Sequence, residues 1–464
     1  MKRLTTQLME PYEIENVRPE AITAVQFGDD PLLMGLVDRL LDDANRAGAR
    51  FGVACVQTPG GHAEALRAQD GLYTVFVRGE SGEKRVQREQ VVQCVLRAID
   101  PEGDDEALMA LGASAEVRLV LTGLDAVNEF ARRDASRVAL LARFLLERWR
   151  AGIEPPECVV CAETAQADSA VRAAIVSLSR QWGAGEDFDR WLGVMPIRPA
   201  LADCLTNRCD AQEAARLCET MNYADAMIHF AEPDGVLAIQ ADEAFARAFR
   251  LEGVEGVQFV EDISQAIEWK HRLFDAGLFT LTAAGLLRGC DTLADCMKDE
   301  PLRELAGRAL MDEIMPYAPF ERDRMIPYIV RCYERYSNPM NLNRLEWAGR
   351  GLIHRFRWGV LPAMRAGAEQ NGTPPERLTA ALAGAVLLLA DARETDGAWE
   401  TIVGEERVPI HEEREILEAF SRLSSDMEAD SLAYAVLSDR DLWLGDDLRN
   451  IEGLAEKLAE NLGA

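Results

Sequence analysis

Short hydrophobic runs alternate with helical patterns along the first half of the chain. Two such runs, Ile22–Gly28 ("ITAVQFG") and Phe51–Gln57 ("FGVACVQ"), are largely apolar, which is typical of strands buried on both faces of a sheet. The segment between them, "PLLMGLVDRLLDDANRAG", has the apolar spacing of a helix, with Pro31 suited to its first turn and Gly48 to its end. The pattern therefore predicts a strand, a helix and a second strand.

More strand-like runs follow, most of them succeeded by a helical pattern. The segments "YTVFVRG" and "EKRVQ" predict a hairpin that turns at Glu80–Gly82. The other predicted strands are Val117–Gly123, Glu157–Glu163, Val236–Ala241 and Val257–Asp262. Strands that are joined by helices indicate a parallel sheet covered on both faces, so we predict an α/β fold with a doubly wound sheet.

The pattern changes after about Asp262. From there to the end of the chain, long amphipathic helical patterns dominate, and they are interrupted at "YSNPMN", "NGTPPER" and "VGEERVP". We therefore predict two domains: an α/β domain over residues 1–262 and an all-helical domain over residues 263–464.

Composition and charge limit the classes of partner. The 464 residues are 48% hydrophobic and 28% charged, which is ordinary for a globular protein. The 50 basic and 79 acidic side chains give a net charge of −29, which argues against nucleic acid or an anionic membrane as a partner. No uncharged apolar stretch of about 18 residues is present and no apolar run follows the basic N-terminus, so we expect a cytoplasmic protein without a signal peptide.

The cysteines give no sign of a metal or redox site. Cys158 and Cys161 are spaced as C-x-x-C, but they lie in the apolar run "CVVC". A strand would direct these two thiols to opposite faces, so we expect reduced cysteines packed in the core and no metal.

The first strand–turn–helix unit is where a dinucleotide fold has its phosphate-binding turn. Glycines in such a turn let the backbone approach a diphosphate, and the helix N-terminus attracts its charge. Here Phe27 ends the strand and only Gly28 is present, while Asp29 and Asp30 occupy the turn. We expect Asp30 to cap the helix, where its carboxylate would also repel a diphosphate. The second strand is followed by "VQTPGGH", without the carboxylate that reads the ribose in NAD sites.

Several motifs together resemble those of one enzyme family. They are "VQFGDDPLLMGLVD", "QDGLYTVFVRG", "KHRLFDAG", "GCDTLADCM", "RYSNP", "LPAMRAGAEQNGTPPERLTAALAG" and "DLWLGDDLRNIEGLAEKL". On these the chain resembles, over nearly its whole length, the long-chain polyol and hexuronate dehydrogenases, such as mannitol 2-dehydrogenase and fructuronate reductase, and most of all the tagaturonate reductase (altronate oxidoreductase) type. The resemblance implies a Rossmann-type N-terminal domain, a helical C-terminal domain and NAD(H)-dependent interconversion of a keto sugar acid and its alcohol without a metal.

The resemblance also implies a catalytic helix with the pattern Lys-x-x-x-x-Asn-x-x-His. In "KHRLFDAGL", Lys270 matches the general acid–base, but Asp275 replaces the asparagine and Leu278 replaces the histidine. An ionised Asp275 would repel an oxyanion and would hold Lys270 protonated, and leucine cannot donate a hydrogen bond. Lys270 and Asp275 are therefore the candidate catalytic residues, and a purely structural ion pair between them is the alternative.

Polar site residues of the family are replaced elsewhere too. By resemblance, Asp30 stands at the second glycine of the turn and Gly123 at an asparagine near the nicotinamide. The other replaced positions are Met34 for an arginine, Ala167 for an asparagine, Asn207 for an acid and Asn343 for a histidine or aspartate. Scaffold motifs persist while site residues change, which is the pattern of a repurposed relative.

Three functions remain open from the sequence. The first is an NAD(H)-dependent oxidoreductase of a sugar acid or a polyol, with Phe27, Gly28, Asp29, Asp30 and Gly123 at the cofactor. Lys270, Arg335, Asn338 and Arg355 would line its substrate site, where the cations would hold a substrate carboxylate. For Arg355 a solvated helix face is the alternative. The second function is that of a catalytically impaired paralogue that acts as a binding or regulatory protein. The third is an enzyme that uses Lys270 and Asp275 as a different acid–base pair.

Overall fold

A computed structural model describes residues 1–58, 61–81, 84–123, 137–341 and 343–463 of the chain. These residues form two compact units, Met1–Ile267 and Glu268–Ala464. The division falls within a helix, and the domain limit drawn from the sequence, at residue 262, stays a prediction.

The strands of the described chain are numbered in sequence order. They are β1 (Lys2–Arg3), β2 (Ala24–Phe27), β3 (Val53–Val56), β4 (Tyr73–Ser81), β5 (Lys84–Val92), β6 (Val95–Ile99), β7 (Leu119–Gly123), β8 (Glu157–Cys161), β9 (Ile197–Asp203), β10 (Thr206–Arg208), β11 (Tyr223–Ala224), β12 (His229–Ala231), β13 (Val236–Gln240), β14 (Val257–Val260), β15 (Arg393–Thr395), β16 (Ala398–Val403) and β17 (Glu406–Pro409).

The α-helices are numbered in the same way. They are α1 (Thr6–Met9), α2 (Asp38–Arg46), α3 (Ala63–Ala68), α4 (Asp105–Gly112), α5 (Arg137–Arg150), α6 (Ala167–Gln181), α7 (Glu186–Gly193), α8 (Ala211–Met221), α9 (Glu243–Phe249), α10 (Ser264–Trp269), α11 (Ala276–Leu287), α12 (Leu293–Lys298), α13 (Glu300–Arg308), α14 (Arg322–Ser337), α15 (Leu345–Ala348), α16 (Leu352–Arg355), α17 (Leu361–Asn371), α18 (Glu376–Ala390), α19 (Arg414–Phe420), α20 (Ala429–Ser438) and α21 (Leu454–Leu462). Segments of π-helix are Leu33–Val37, Lys270–Asp275, Ala309–Ile314 and Phe356–Val360, and 3₁₀ turns are Met315–Tyr317 and Leu448–Asn450.

The main sheet of unit 1 has eight strands in the order β14-β13-β9-β8-β7-β2-β3-β6. All pairs from β6 to β9 are parallel, whereas β9 and β13 are antiparallel. The six strands from β6 to β9 follow the order 3-2-1-4-5-6 of dinucleotide-binding sheets. The predicted α/β fold with a Rossmann-type, doubly wound sheet is confirmed.

Both faces of this sheet are packed, which explains the continuously apolar strands. In β8, Cys158 and Val160 belong to one hydrophobic cluster, while Val159 and Cys161 belong to another. The two cysteines therefore point to opposite faces, as the strand periodicity predicted. Burial raises the pKa of each thiol to about 12, which makes both of them inert packing groups.

A second sheet in unit 1 has the order β10-β12-β4-β5. Its strands β4 and β5 form the predicted hairpin, paired from Tyr73↔Val92 to Ser81↔Lys84, and residues 82–83 between them lie outside the described residues. Strands β6, β9, β10 and β12 were not predicted. Strands β10 and β12 have only three residues each, which is too few to show a periodicity. The apolar run of β6 is interrupted by Arg97, and that of β9 by Arg198 and Pro199.

Unit 2 is built mainly of helices around α11 and α18, whose side chains are buried on nearly all sides. A helix of this kind has little amphipathic pattern, because protein surrounds it. Among the described residues, no helix combines the length and the apolarity that are needed to cross a membrane.

Unit 2 also contains a small antiparallel sheet, β15-β16-β17, in the region predicted to be all-helical. The first turn of this sheet is formed by Asp396 and Gly397, whose φ values are 52° and 84°. An Asp-Gly pair with positive φ at both residues is a strong hairpin signal, and the sequence carried it in "ETDGAW". The strands themselves have mostly exposed side chains, such as Ile402, so their hydrophobic pattern was too weak to reveal them.

Candidate active site

The turn after β2 lies at the point where the order of the main sheet reverses. Phe27, the last residue of β2, is paired with Val56 of β3 on one side and with Thr122 of β7 on the other. Gly28 follows with a φ of 117°, a conformation that glycine adopts readily and other residues rarely do. Crevices at such switch points are where open α/β sheets bind ligands. The structure therefore places Phe27, Gly28 and Gly123 around one crevice of unit 1.

The two aspartates of the turn have separate partners. Asp29 Oδ1 accepts hydrogen bonds from the backbone N–H and the hydroxyl of Thr58, at 3.2 and 2.8 Å. Asp30 Oδ1 accepts the backbone N–H of Leu33 at 3.0 Å, which is the capping bond expected from the sequence. The first turn of the helix is thus satisfied from within the chain.

Arg137, the first residue of α5, occupies the same crevice. Its Nη1 lies 2.8 Å from Oδ2 of Asp30 and donates to the carbonyl of Gly123 at 2.5 Å. A Cβ atom at position 28 would lie 2.7 Å from Cζ of Arg137, so the guanidinium lies directly over Gly28. The sequence analysis missed this residue. The charge of Asp30 is therefore balanced by a guanidinium, which the expectation of simple repulsion did not include.

A buried acid, Asp38, begins α2, directly after the π-helical segment Leu33–Val37 that follows the turn. Asp38 Oδ2 accepts hydrogen bonds from the hydroxyl of Tyr73 at 2.8 Å and from Nε2 of Gln26 at 3.3 Å. The same amide lies 3.2 Å from the carbonyl of Gly28. Burial raises the pKa of Asp38 to about 7, against the opposing effect of these two hydrogen bonds. Gln26 thus links the backbone of the turn to Asp38, whose ionised form is destabilised by burial.

Other replaced positions in unit 1 are structural. Met34 and Ala167 are buried in hydrophobic clusters, one on each face of the sheet. Asn207 lies in the short strand β10, paired with Phe230 of β12. Neither of the two apolar side chains can contribute a hydrogen bond to a ligand.

In unit 2, the candidate catalytic helix contains a π-helical segment. Helix α10 leads into the π-helical residues Lys270–Asp275, and these continue into α11. An α-helix places residues i and i+5 about 140° apart around its axis, so they do not face each other. The wider π turn brings both ends of this segment to one side of the helix, and such segments are frequent at functional sites.

The π turn joins the two candidate catalytic residues in an ion pair. Lys270 Nζ donates to both carboxylate oxygens of Asp275 at 2.8 Å. The side chains of Lys270 and Asp275 are only 10% and 1% exposed. A buried charge pair is tolerated only when the geometry is good, because both charges have lost their hydration.

Asp275 has two further basic side chains nearby. Arg355 Nε lies 3.8 Å from its Oδ1, and His271 Nε2 lies 4.0 Å from its Oδ2. His271 lies near this carboxylate because residues four apart lie on one face of a helix. The ring of His271 also lies 5.8 Å from that of His354 and 6.5 Å from that of Trp358. The sequence analysis missed the two histidines, and no local motif marks them.

Side chains of α14 contact the π turn at Phe274. The hydroxyl of Tyr336 donates to the carbonyl of Phe274 at 2.5 Å, and Cζ of Arg335 lies 3.9 Å from the centre of the Phe274 ring. Asn338, the next residue after α14, accepts the backbone N–H of Met340 through its side-chain oxygen. Arg335 is therefore beside the candidate helix, while the described bond of the Asn338 side chain shapes the turn of the "SNP" motif.

A second π turn approaches the first one closely at a glycine. Gly359, in Phe356–Val360, has no side chain, and a Cβ there would lie 2.6 Å from the carbonyl oxygen of His271. The preceding helix α16, which carries Arg355, begins at a cap in which Glu412 Oε2 accepts the backbone N–H of Ile353 at 2.9 Å. Burial raises the pKa of Glu412 to about 7. Arg355 also donates to the carbonyls of Ala348 and Arg350, so its direction is fixed within unit 2.

The position of the family histidine is apolar in the structure. Leu278 is buried in α11 and contributes only its backbone carbonyl, to the hydroxyl of Thr282. Asn343 is buried as well, and its carbonyl accepts the backbone N–H of Leu293. The site can therefore hold an anion and a proton near Lys270, Arg355 and His271, but it lacks the neutral donor at position 278.

Comparisons with known proteins agree with the motifs. Residues 262–464 match the mannitol dehydrogenase C-terminal domain. Altronate oxidoreductase of Shigella sonnei (strain Ss046) is 27% identical over 469 residues, which cover 96% of this chain and 94% of that protein. Altronate oxidoreductase of Klebsiella pneumoniae (strain 342) is also 27% identical, over 95% of this chain and 93% of that protein.

Solved structures show the same fold. Pseudomonas fluorescens mannitol 2-dehydrogenase, in a ternary complex with NAD and D-mannitol, aligns with a TM-score of 0.81 and 17% identity over 99% of this chain and 96% of that one. D-sorbitol dehydrogenase in its substrate-free form aligns with a TM-score of 0.70 and 16% identity over 99% and 97%. The resemblance to the polyol and hexuronate dehydrogenases is confirmed.

Proposed function

We propose that this relative of the long-chain polyol and hexuronate dehydrogenases is an NAD(H)-dependent oxidoreductase that interconverts a keto sugar acid and its alcohol, of the tagaturonate–altronate type. The observation that carries the proposal is Lys270, which keeps the family register and lies buried among Asp275, Arg355 and His271. A buried lysine beside two other basic groups suits a negatively charged substrate better than a neutral one.

The crevice of unit 1 supports the cofactor part of the proposal. It lies at the switch point, begins at a glycine with positive φ and ends at a helix N-terminus, which are the features that a dinucleotide uses. Phe27, Gly28, Asp29, Asp30 and Gly123 are the residues proposed to line the bound dinucleotide. When bound, the nicotinamide ring supplies or accepts the hydride.

Unit 2 would supply the proton and the substrate contacts. In the direction of reduction, the ammonium of Lys270 gives its proton to the substrate oxygen as that oxygen gains negative charge. Asp275 stabilises the ammonium, and so it makes this proton harder to give than a neutral asparagine would. The guanidinium groups of Arg335 and Arg355, together with the Asn338 amide, are the proposed contacts of the substrate carboxylate.

A catalytically impaired paralogue that acts as a binding or regulatory protein is the second candidate. Two observations favour it: Lys270 is bound by both oxygens of Asp275, and Leu278 offers no donor. The loss of one oxyanion donor typically lowers the rate by about 10²–10³. Both candidate functions are compatible with the same fold. The charge of Asp275 and the missing hydrogen-bond donor at Leu278, both beside Lys270, are what distinguish them.

The test is turnover of tagaturonate and fructuronate, followed by NADH absorbance. We expect weak turnover for the unmodified protein and none for Lys270→Ala. The double variant Asp275→Asn with Leu278→His restores two neutral donors, and we expect its rate to rise by about 10²-fold or more, beyond the product of the single variants. Melting temperatures must show that each variant folds.

A matched control uses the exposed pair Lys298–Asp295 in the same unit, whose Nζ–Oδ1 distance of 2.9 Å resembles that of the buried pair. We expect Lys298→Ala to leave turnover unchanged. Turnover that survives Lys270→Ala contradicts the proposed role of Lys270. Absence of turnover in the unmodified protein and in the folded double variant favours the impaired paralogue.

A further inference from the structure

We propose that Arg137 is the cation that binds the diphosphate of a dinucleotide in this chain, with Asp30 as the anion that the diphosphate replaces. The inference rests on the proposed function, since it concerns the same nucleotide crevice, but it names a binding residue that none of the sequence motifs indicates. It also assigns a role to the acid that the turn carries in place of a glycine.

The position of the guanidinium carries the inference. Arg137 lies over Gly28 and donates to the carbonyl of Gly123, so it bridges the ends of β2 and β7 at the switch point. A diphosphate that approaches the backbone of this turn must take the space in which the guanidinium now lies. A group with five N–H donors in a planar fork can turn to bind phosphate oxygens at two points.

The charge of the turn requires such a cation. Asp29 and Asp30 would present two carboxylates to a diphosphate, and the position of the family arginine is the buried Met34. Asp29 is turned towards Thr58 and the His62 ring, whose Nδ1 lies 3.6 Å from its Oδ2. Among the described residues, Arg137 is thus a guanidinium that pairs with an acid of this turn. It comes from α5, whereas the resemblance implies a family arginine at position 34, in the helical stretch that follows the turn.

Asp30 can release Arg137 without losing its structural role. Its Oδ1 caps the helix through Leu33, whereas its Oδ2 is the atom that faces Arg137. The side chains are 26% exposed for Asp30 and 15% exposed for Arg137, but Oδ2 of Asp30 is itself buried, so a diphosphate reaches the guanidinium by displacing this oxygen. Asp30 then lowers the affinity by competition, and the capping bond stays in place.

The experiment measures binding by calorimetry with NADH, ADP and adenosine as probes. We expect Arg137→Gln to weaken binding of NADH and ADP by about 10- to 100-fold and to leave adenosine unchanged, because adenosine lacks the diphosphate. We expect Asp30→Asn to strengthen binding of both phosphate-containing probes several-fold, since the amide still caps the helix. Arg143→Gln is the control, because Arg143 lies on the same helix and pairs with Asp105.

The outcomes separate this inference from the proposed function. If NADH binds equally well to Arg137→Gln and to the unmodified protein, or more tightly to the variant, the role of Arg137 is refuted while the dehydrogenase proposal stands. If ADP binding depends on Arg137 but no hexuronate is turned over, the inference stands and the proposed reaction fails. If neither NADH nor ADP binds to the unmodified protein or to Asp30→Asn, both are overturned. Arg137→Lys, which keeps the charge, checks that a loss is not due to misfolding.

Discussion

The turn of unit 1 and the π turn of unit 2 each carry an acid at a position where the family resemblance implies a neutral residue, and both acids are paired with a basic side chain. Asp30 and Arg137 are partly exposed and come from distant parts of the chain, whereas Lys270 and Asp275 are buried and lie within one turn of a helix. The two pairs therefore differ in burial: the side chains of the pair in unit 1 are partly exposed, and those of the pair in unit 2 are buried.

Burial determines how much stability is lost when one member of each pair is removed. A partly exposed pair contributes about 0–1 kcal/mol, because water and salt screen it. A buried pair contributes little in total, but the loss of one member costs about 3–5 kcal/mol, since the other charge is left without a partner. We therefore expect replacement of the acid in unit 1 to cost little stability, and replacement of the acid in unit 2 to cost more.

The largest expected effect is the loss of the buried acid. We expect Asp275→Ala to lower the free energy of unfolding by about 3–5 kcal/mol, because the ammonium of Lys270 then lacks its carboxylate. Urea denaturation followed by circular dichroism measures it. The double variant Lys270→Met with Asp275→Leu removes both charges and should recover most of the loss. A cost for Asp275→Ala below about 1 kcal/mol contradicts the difference between the two regions.

A second prediction uses Asp38, a buried acid of unit 1 whose described hydrogen-bond partners are the neutral Tyr73 and Gln26. Its pKa in the folded chain is raised to about 7, above the ordinary value, so the folded chain binds this proton more tightly than the unfolded chain does. The stability from this proton is present at low pH and is lost as the pH rises towards and through 7. Between about pH 5 and pH 8 the loss amounts to about 2–3 kcal/mol.

The measurement compares the unmodified protein with Asp38→Asn across this pH range by urea denaturation. We expect the free energy of unfolding to fall more steeply with pH in the unmodified protein, because the amide does not titrate. Equal slopes for the two proteins would show that Asp38 keeps the same pKa in the folded and unfolded chains. This prediction separates burial from pairing, since Asp38 is as buried as Asp275 but has neutral partners.

The smallest expected effect is at the partly exposed pair. We expect Asp30→Ala to lower the free energy of unfolding by about 0.5–2 kcal/mol, chiefly through the lost cap on Leu33. Asp30→Asn keeps the cap and removes the charge, so it should cost less than Asp30→Ala. If Asp30→Asn proves as costly as Asp275→Ala, the partly exposed pair is structural and the comparison fails.

Much of the fold was predicted from local signals, and the failures have physical reasons. The apolar runs that form β2, β3, β7 and β8 are buried on both faces of the sheet. Nearly every residue in them is therefore apolar, which makes the strands recognisable in the sequence. Strands β6 and β9 pair with strands that are distant in the chain, and the sheet of β15–β17 depends on a turn signal at Asp396–Gly397. Hydrophobic periodicity cannot predict such pairing, because it describes each strand separately from its neighbours.

The sequence alone determined the α/β and helical parts, the cap at Asp30 and the register of Lys270, because these follow from short-range spacing and from motifs. The tertiary structure decided which charges meet. Only the widened π turn brings Lys270 and Asp275 together, five residues apart, where a regular helix separates them. Only the parallel pairing of β2 with β7 brings α5 to the first turn, so that Arg137 reaches Asp30. Contacts of this kind depend on backbone geometry and on sheet order, which no local pattern of residues specifies.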